Sequence, residues 1–215
     1  MIHNRHYAVA DFFCLGVDHV LRALLNNPKT TARNYPAECI RDAELTHLQR
    51  KHSAALMRIN HAGEVCAQAL YHGQAIASRN PDIKKSMQQA AIEEGDHLTW
   101  CRMRLMELGS HTSYLNPFWY AGAFTLGLSA GLIGDQWSLG FLAETEKQVV
   151  EHLERHLQAL SEEDHRSKKI LQQMQIDEAE HRDAAIDAGA KMLPFFLKKW
   201  MEITSKVMVK IAYWV

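Results

Sequence analysis

The sequence predicts an all-α chain built around a four-helix bundle. Three observations carry this. Long stretches repeat apolar residues every three or four positions, most Pro and Gly residues fall between those stretches, and no segment alternates with the period of a strand. With 215 residues, 47% apolar and 23% charged, the chain can build one globular core. The expected division is a peripheral segment, 1–41, followed by a helical domain, 42–215.

Within the first segment, 17–25 has the pattern of a short helix ended by Asn26-Asn27-Pro28, and Asn34-Tyr35-Pro36 reads as a turn. The first long helix is expected over 43–78, where Asn80-Pro81-Asp82 breaks it. The second runs over 82–108 and stops at Gly109-Ser110. From Thr112 to Gly134 there is no charged residue. That length could cross a membrane, but Gly122, Gly127, Gly131 and Gly134 thin its apolar surface. A crossing would also part the flanking helices, so a buried or interfacial crossover is expected. A third long helix covers 139–160. Ser161, with Asp164 three residues on, resembles an N-cap for a fourth over 162–191. Pro194 precedes a last helix over 195–214.

A formal net charge of -1 gives no reason to expect nucleic acid as a partner. Cys14, Cys39, Cys66 and Cys101 form no Cys-x-x-Cys pair, so zinc-ribbon and thioredoxin chemistry are poor readings and reduced thiols are expected. The N-terminus shows no signal-peptide pattern. A bacterial cytoplasmic protein, or one on the cytoplasmic face of a membrane, is the expectation.

Chemistry enters through acidic residues placed where a core should be. The second helix carries Glu94-Gly95-Asp96-His97 and the fourth Glu178-Ala179-Glu180-His181. Positions i and i+3 share a helix face, so each motif aims a carboxylate and an imidazole at one point. Each motif interrupts an apolar stripe: Met87, Ala90, Cys101 and Leu105 in one helix, Leu171, Met174 and Ala185 in the other. Glu146 interrupts the stripe Leu142, Val149, Leu153, Leu157 of the third helix. Glu64 is the sole acidic residue between Thr46 and Pro81. Its stripe is less clean, and its place rests partly on symmetry: it stands 30 residues before Glu94, as Glu146 stands 32 before Glu178. Burying a carboxylate costs several kcal/mol unless it is paired or bound to metal. Glu93, Asp96 and Glu180 lie off these stripes and are read as solvated or as outer partners. His61 and His152 lie near the candidate ligands in sequence; His152 is a candidate flanking residue.

One Glu from each of two helices and a Glu-x-x-His from each of two others is the donor set of ferritin-like di-iron carboxylate bundles. Such a mixed oxygen–nitrogen set suits iron or manganese. The last helix combines Phe195, Phe196, Trp200, Ile203, Val207 and Trp214 with four lysines, opposed only by Glu202. That pattern suits a membrane interface. The alternative is a docking helix that covers the bundle.

Four segments carry a family resemblance: Asn60-His61-Ala62-Gly63-Glu64, Glu93-Glu94-Gly95-Asp96-His97-Leu98, Glu144-Thr145-Glu146-Lys147 and Asp177-Glu178-Ala179-Glu180-His181. In this order and spacing they resemble the demethoxyubiquinone hydroxylases of ubiquinone biosynthesis, from about Leu45 to the C-terminus. The apolar stretch with Gly131-Leu132-Ile133-Gly134 also looks like the family's. The first 40 residues carry little resemblance and receive no role.

The resemblance implies two iron ions, with manganese less suited, held by Glu64, Glu94, His97, Glu146, Glu178 and His181. It implies O₂-dependent hydroxylation of a polyprenyl 3-methyl-6-methoxy-1,4-benzoquinol. No catalytic residue is implied beyond the ligands, with His152 as the one further candidate. It implies peripheral attachment to the bacterial cell membrane on its cytoplasmic side, with Phe118, Trp119, Phe195, Phe196 and Trp200 at the membrane or the substrate's entry. An electron donor, other ubiquinone-biosynthesis proteins and a second copy of the chain are the further partners to expect. No nicotinamide or flavin fingerprint occurs, so any NADH use would be indirect. Two rival readings share parts of this pattern: a ferritin- or rubrerythrin-like protein storing iron or reducing peroxide, and a quinone- or lipid-binding protein without catalysis.

Overall fold

The computed structural model describes residues 28–215, together with Asp18, Leu21 and Arg22. Apart from those three positions, the helix expected over 17–25 lies outside the described residues, as does Cys14. Among the described residues there are six helices and no strand: α1 His47–Ala77, α2 Pro81–Glu107, α3 Asn116–Ile133, α4 Asp135–Ala159, α5 His165–Asp187 and α6 Phe195–Ala212.

Local chemistry sets most helix starts. Thr46 caps α1 in a reciprocal box with Gln49. The Asn80 side chain accepts from the Asp82 amide, and Pro81 occupies the first turn of α2, where a missing N–H costs nothing. Two starts differ from expectation. The third long helix begins at Asp135, directly after Gly134, whose φ of 143° lets the chain turn from α3 into α4. α5 starts at His165, not beside Ser161: Asp164 is its cap, accepting from the Ser167 amide. Asp164 is also bonded to buried Arg104 on α2, so a tertiary ion pair fixes this end.

α1 lies along α2 and α3, and α5 lies along α4. The core forms two large apolar layers and a smaller cluster of Val65, Ala69, Leu98 and Tyr120. One layer holds Ile59, Ala62, Cys101, Leu105, Leu153, Leu171 and Met174. The other holds Leu70, Tyr71, Met87, Ala91, Leu139, Leu142 and Ala185. Each of α1, α2, α4 and α5 feeds both layers, and its candidate ligands fall at the seam between them.

Gly127 and Gly131 of α3 work as contact points with α1. A Cβ at Gly127 would lie 2.3 Å from the Leu70 carbonyl oxygen, and one at Gly73 would lie 2.4 Å from that of Phe124. Two backbones therefore meet where side chains cannot fit. No helix among the described residues is long and apolar enough to cross a membrane. α6 buries only Met201 and Ala212 and leaves Phe195, Phe196, Ile203 and Val207 exposed; Trp214, just beyond its end, is exposed too.

Candidate metal centre

Glu64, Glu94, His97, Glu146 and Glu178 are all buried, and the His181 side chain is only 12% exposed. Donor atoms of Glu64, Glu94, His97 and Glu178 lie within 4.8 Å of one another. Both histidines turn Nδ1 inward. His97 Nδ1 is 3.3 Å from Glu64, 3.2 Å from Glu94 Oε2 and 3.0 Å from Glu178 Oε1. His181 Nδ1 is 3.2 Å from Glu94 Oε1 and 3.3 Å from Glu178 Oε2. Glu94 and Glu178 thus each offer one oxygen to each imidazole, with Glu64 at the His97 end. Glu146 is close enough to Glu178 and Glu94 to feel their charges, and its Oε1 accepts from the Tyr71 hydroxyl at 3.0 Å.

Outer partners fix both rings. His97 Nε2 donates to Asp177 Oδ2 at 2.8 Å, and His181 Nε2 to Glu93 Oε2 at 2.8 Å. An imidazole whose far nitrogen donates to a carboxylate keeps its near nitrogen bare for a metal. The cluster fits a metal on a second ground: buried Glu146 Oε2 has no hydrogen-bond donor. Four buried carboxylates and two imidazoles form an oxygen–nitrogen set for divalent iron or manganese.

Left to one another, these groups share protons. Burial raises Glu64 well above the carboxylate range. Burial and the charges of Glu178 and Glu94 do the same to Glu146. Burial would also raise Glu94, but hydrogen bonds from His181 and His97 outweigh it and hold Glu94 low. Burial opposes charge on His97 too, yet Asp177, Glu178, Glu64 and Glu94 together lift it well above an ordinary imidazole. His181 is lifted in the same way by Glu178, Glu93 and Glu94. A metal needs these groups deprotonated, so its uptake must expel protons. The affinity of metal-free protein for Mn²⁺ should therefore rise with pH between about 5.5 and 8, with net proton release in calorimetry across buffers of differing ionisation enthalpy. Buffer-independent heats would contradict this.

A cavity of about 380 Å³ adjoins the cluster, with Glu64, Glu146 and Glu178 in its wall. The rest of the lining is mainly apolar and runs to Phe118 and Trp119 of α3 and Trp200 of α6. Phe118 and Trp200 are exposed. Phe195 and Phe196 do not line it; they stand on the surface at the start of α6. His152 does line it. Burial holds its pKa down to about 4, and its ring lies 3.9 Å from that of His156. His61 is buried in a separate cavity, with its pKa lowered to about 3 by burial.

Sequence reasoning missed three partners. Tyr71 lies two turns after Glu64 on one face of α1, a spacing that could have revealed it. Asp177 adjoins Glu178 and faces His97. Arg33 belongs to the segment given no role, yet it pairs with Asp177 at 2.9 Å. Of the three acids read as solvated or outer partners, Glu180 is exposed and Glu93 is the partner of His181. Asp96 is neither; it is 2% exposed, beneath Thr31 and Arg33.

The family described as "Ubiquinone biosynthesis protein COQ7" matches residues 51–212. Relatives called 3-demethoxyubiquinol 3-hydroxylase are similar along nearly their whole length. That of Nitrosococcus oceani is 50% identical, covering 99% of both chains. That of Polynucleobacter asymbioticus is 52% identical over 96% of this chain and 99% of its own. That of Nitrosomonas eutropha is 50% identical over 95% and 98%.

Proposed function

Because this chain belongs to the COQ7 family of ubiquinone biosynthesis proteins, we propose that it hydroxylates the ring of a polyprenyl 3-methyl-6-methoxy-1,4-benzoquinol, using O₂. One observation carries the reading in physical terms: a buried cluster of four carboxylates and two imidazoles opens into an apolar cavity that reaches exposed aromatic residues of α3 and α6. An iron-storing or peroxide-reducing protein has no use for such a cavity, and a quinone carrier has no use for the cluster. The relatives' names speak against both.

The proposed ligands are Glu64, Glu94, His97, Glu146, Glu178 and His181, holding two irons. Glu94 and Glu178 each turn one oxygen to each imidazole, so both would serve the two ends of the site. The chemistry supplied there would be reductive activation of O₂. The chain does the rest. Asp177 and Glu93 hold the imidazoles in place. Tyr71 fixes Glu146. The apolar lining excludes water beside the ring. His152, kept neutral by burial, offers the ring hydroxyls a hydrogen-bond acceptor.

The prenyl tail is placed to leave between α3 and α6. Exposed Phe118, Leu132 and Ile133 of α3, Phe195 and Phe196 of α6, and Trp214 just beyond α6 are the residues proposed to rest on the cytoplasmic side of the cell membrane. Reducing equivalents come in this reading from a separate donor or through the quinol itself.

The test is the quinone profile, by mass spectrometry, of cells lacking this gene. Accumulation of the demethoxy precursor, with ubiquinone restored by the wild-type gene, is expected. Normal ubiquinone in the deletion strain would count against the reading.

A further inference from the structure

The Glu94-Gly95-Asp96-His97 motif does more than supply two candidate ligands. Its two inner residues dock the segment before the helices. The Lys29 carbonyl oxygen sits where a side chain at position 95 would begin: a Cβ there would lie 1.8 Å away. Asp96 Oδ2 accepts from the Thr31 amide at 3.3 Å, from the Thr31 hydroxyl, and from Arg33 Nε at 3.3 Å. Residues 29–33 thus lie as a strap across α2. The strap is held further along by Ala37, fully buried in the core, and by the Ile40 carbonyl, which accepts from Arg166.

Arg33 also reaches past these anchors. Its guanidinium lies 4.7 Å over the Trp100 ring, and Nη1 meets Asp177 Oδ2 on α5 at 2.9 Å. The same oxygen accepts from His97 Nε2, while Asp177 Oδ1 accepts from Gln173 at 2.9 Å. The carboxylate behind His97 is thereby clamped from three directions, one of them by a full positive charge. The carboxylate behind His181 is held differently. Glu93 is 33% exposed, and its bonded partner beyond the ring is the neutral amide of Gln89.

We infer that Arg33 is a positioning residue for His97, acting through Asp177 and through its own Nη2, which lies 3.3 Å from His97 Nε2, and that the strap exists in part to deliver it. The inference rests on the metal-centre reading above. Without the guanidinium, Asp177 can turn toward solvent. His97 Nε2 then loses the acceptor that sets the ring's orientation, and Nδ1 is no longer held toward Glu64, Glu94 and Glu178. A metal at that end would meet a ligand that is wrongly turned. The His181 end is untouched.

The two ends predict a split result. Metal-free full-length protein is titrated with Co²⁺ and followed by its visible absorption bands. Wild type should take up two ions. Arg33→Met should weaken one of the two binding steps about ten-fold, at the low end of the range for outer partners of ligands, and leave the other within about two-fold. Arg33→Lys should recover part of the loss, because it restores the charge but not the fork. Gly95→Ala tests the strap without touching a charge. It should push the Lys29 backbone aside at some cost in stability and weaken the same step, while far-ultraviolet circular dichroism shows the helices retained. Equal weakening of both steps in Arg33→Met, or no weakening, overturns the role of Arg33 alone. A wild-type chain that takes up no cobalt overturns the metal centre and this inference with it.

Discussion

Glu178→Ala should abolish metal retention and ring hydroxylation together while the helical bundle persists. Glu178 is 1% exposed, and its two oxygens stand 3.0 Å from His97 Nδ1 and 3.3 Å from His181 Nδ1. Among the described residues, Glu94 alone shares this arrangement with both imidazoles. Removal of Glu178 takes a donor from each proposed metal position at once, so no single site should survive intact. The apoprotein is a different matter. Four buried carboxylates repel one another, and deleting one relieves that repulsion while leaving imidazole donors short of an acceptor. These effects oppose each other, and the net change in unfolding free energy should stay within about 1–3 kcal/mol in either direction. The measurements are metal content after anaerobic loading, far-ultraviolet circular dichroism, and the quinone profile of cells carrying the variant. A variant that keeps both metal and ubiquinone would remove Glu178 from the ligand set.

Arg104→Met should unfold far more readily than wild type, by about 3–5 kcal/mol, because it strands a buried charge. Arg104 is wholly buried. It donates to Ser167 at 2.9 Å, Asp42 at 3.0 Å, Glu107 at 2.8 Å and Asp164 at 2.8 Å. Asp42 and Glu107 are partly exposed and can turn to water, but the Asp164 side chain is fully buried. Burial would raise the pKa of Asp164, yet Ser53, Arg104 and Ser167 outweigh it and hold it below the usual value. A carboxyl depressed in the folded state adds stability above its unfolded pKa and loses that stability as pH falls through its folded pKa. The gap between wild type and variant should therefore be widest near neutrality and narrow in acid. Adding Asp164→Asn should recover more than half of the loss, since asparagine still caps α5 without a charge to strand. Denaturant unfolding of the single and double variants at two pH values reads all of this.

The candidate ligands were legible because helices repeat. An acid that interrupts an apolar stripe is costly, and four such acids in ordered pairs leave metal as the economical explanation. Glu94, His97, Glu146 and Glu178 announce themselves in this way, and Glu64 follows from symmetry. The outer partners carry no such mark. Asp177 precedes Glu178 off the stripe, and nothing in α5 says that His97 of another helix waits for it. Asp96 reads as a surface acid because periodicity describes only the helix that carries it. It is buried by Thr31 and Arg33, which belong to a segment without helical pattern. The Ser161 expectation failed for a related reason: Asp164 is chosen as the cap by Arg104, a residue 60 positions away in sequence.

The sequence by itself determined the helices, the residues that each turns inward, and the donor types that converge, because helical period and the cost of a buried charge are both local. Only the tertiary structure decided which oxygens of Glu94 and Glu178 face which imidazole, that Glu146 answers to Tyr71, and that Arg33 stands behind His97. Those pairings depend on how separate helices rotate and slide until their layers pack, and on where an unpatterned strap comes to rest.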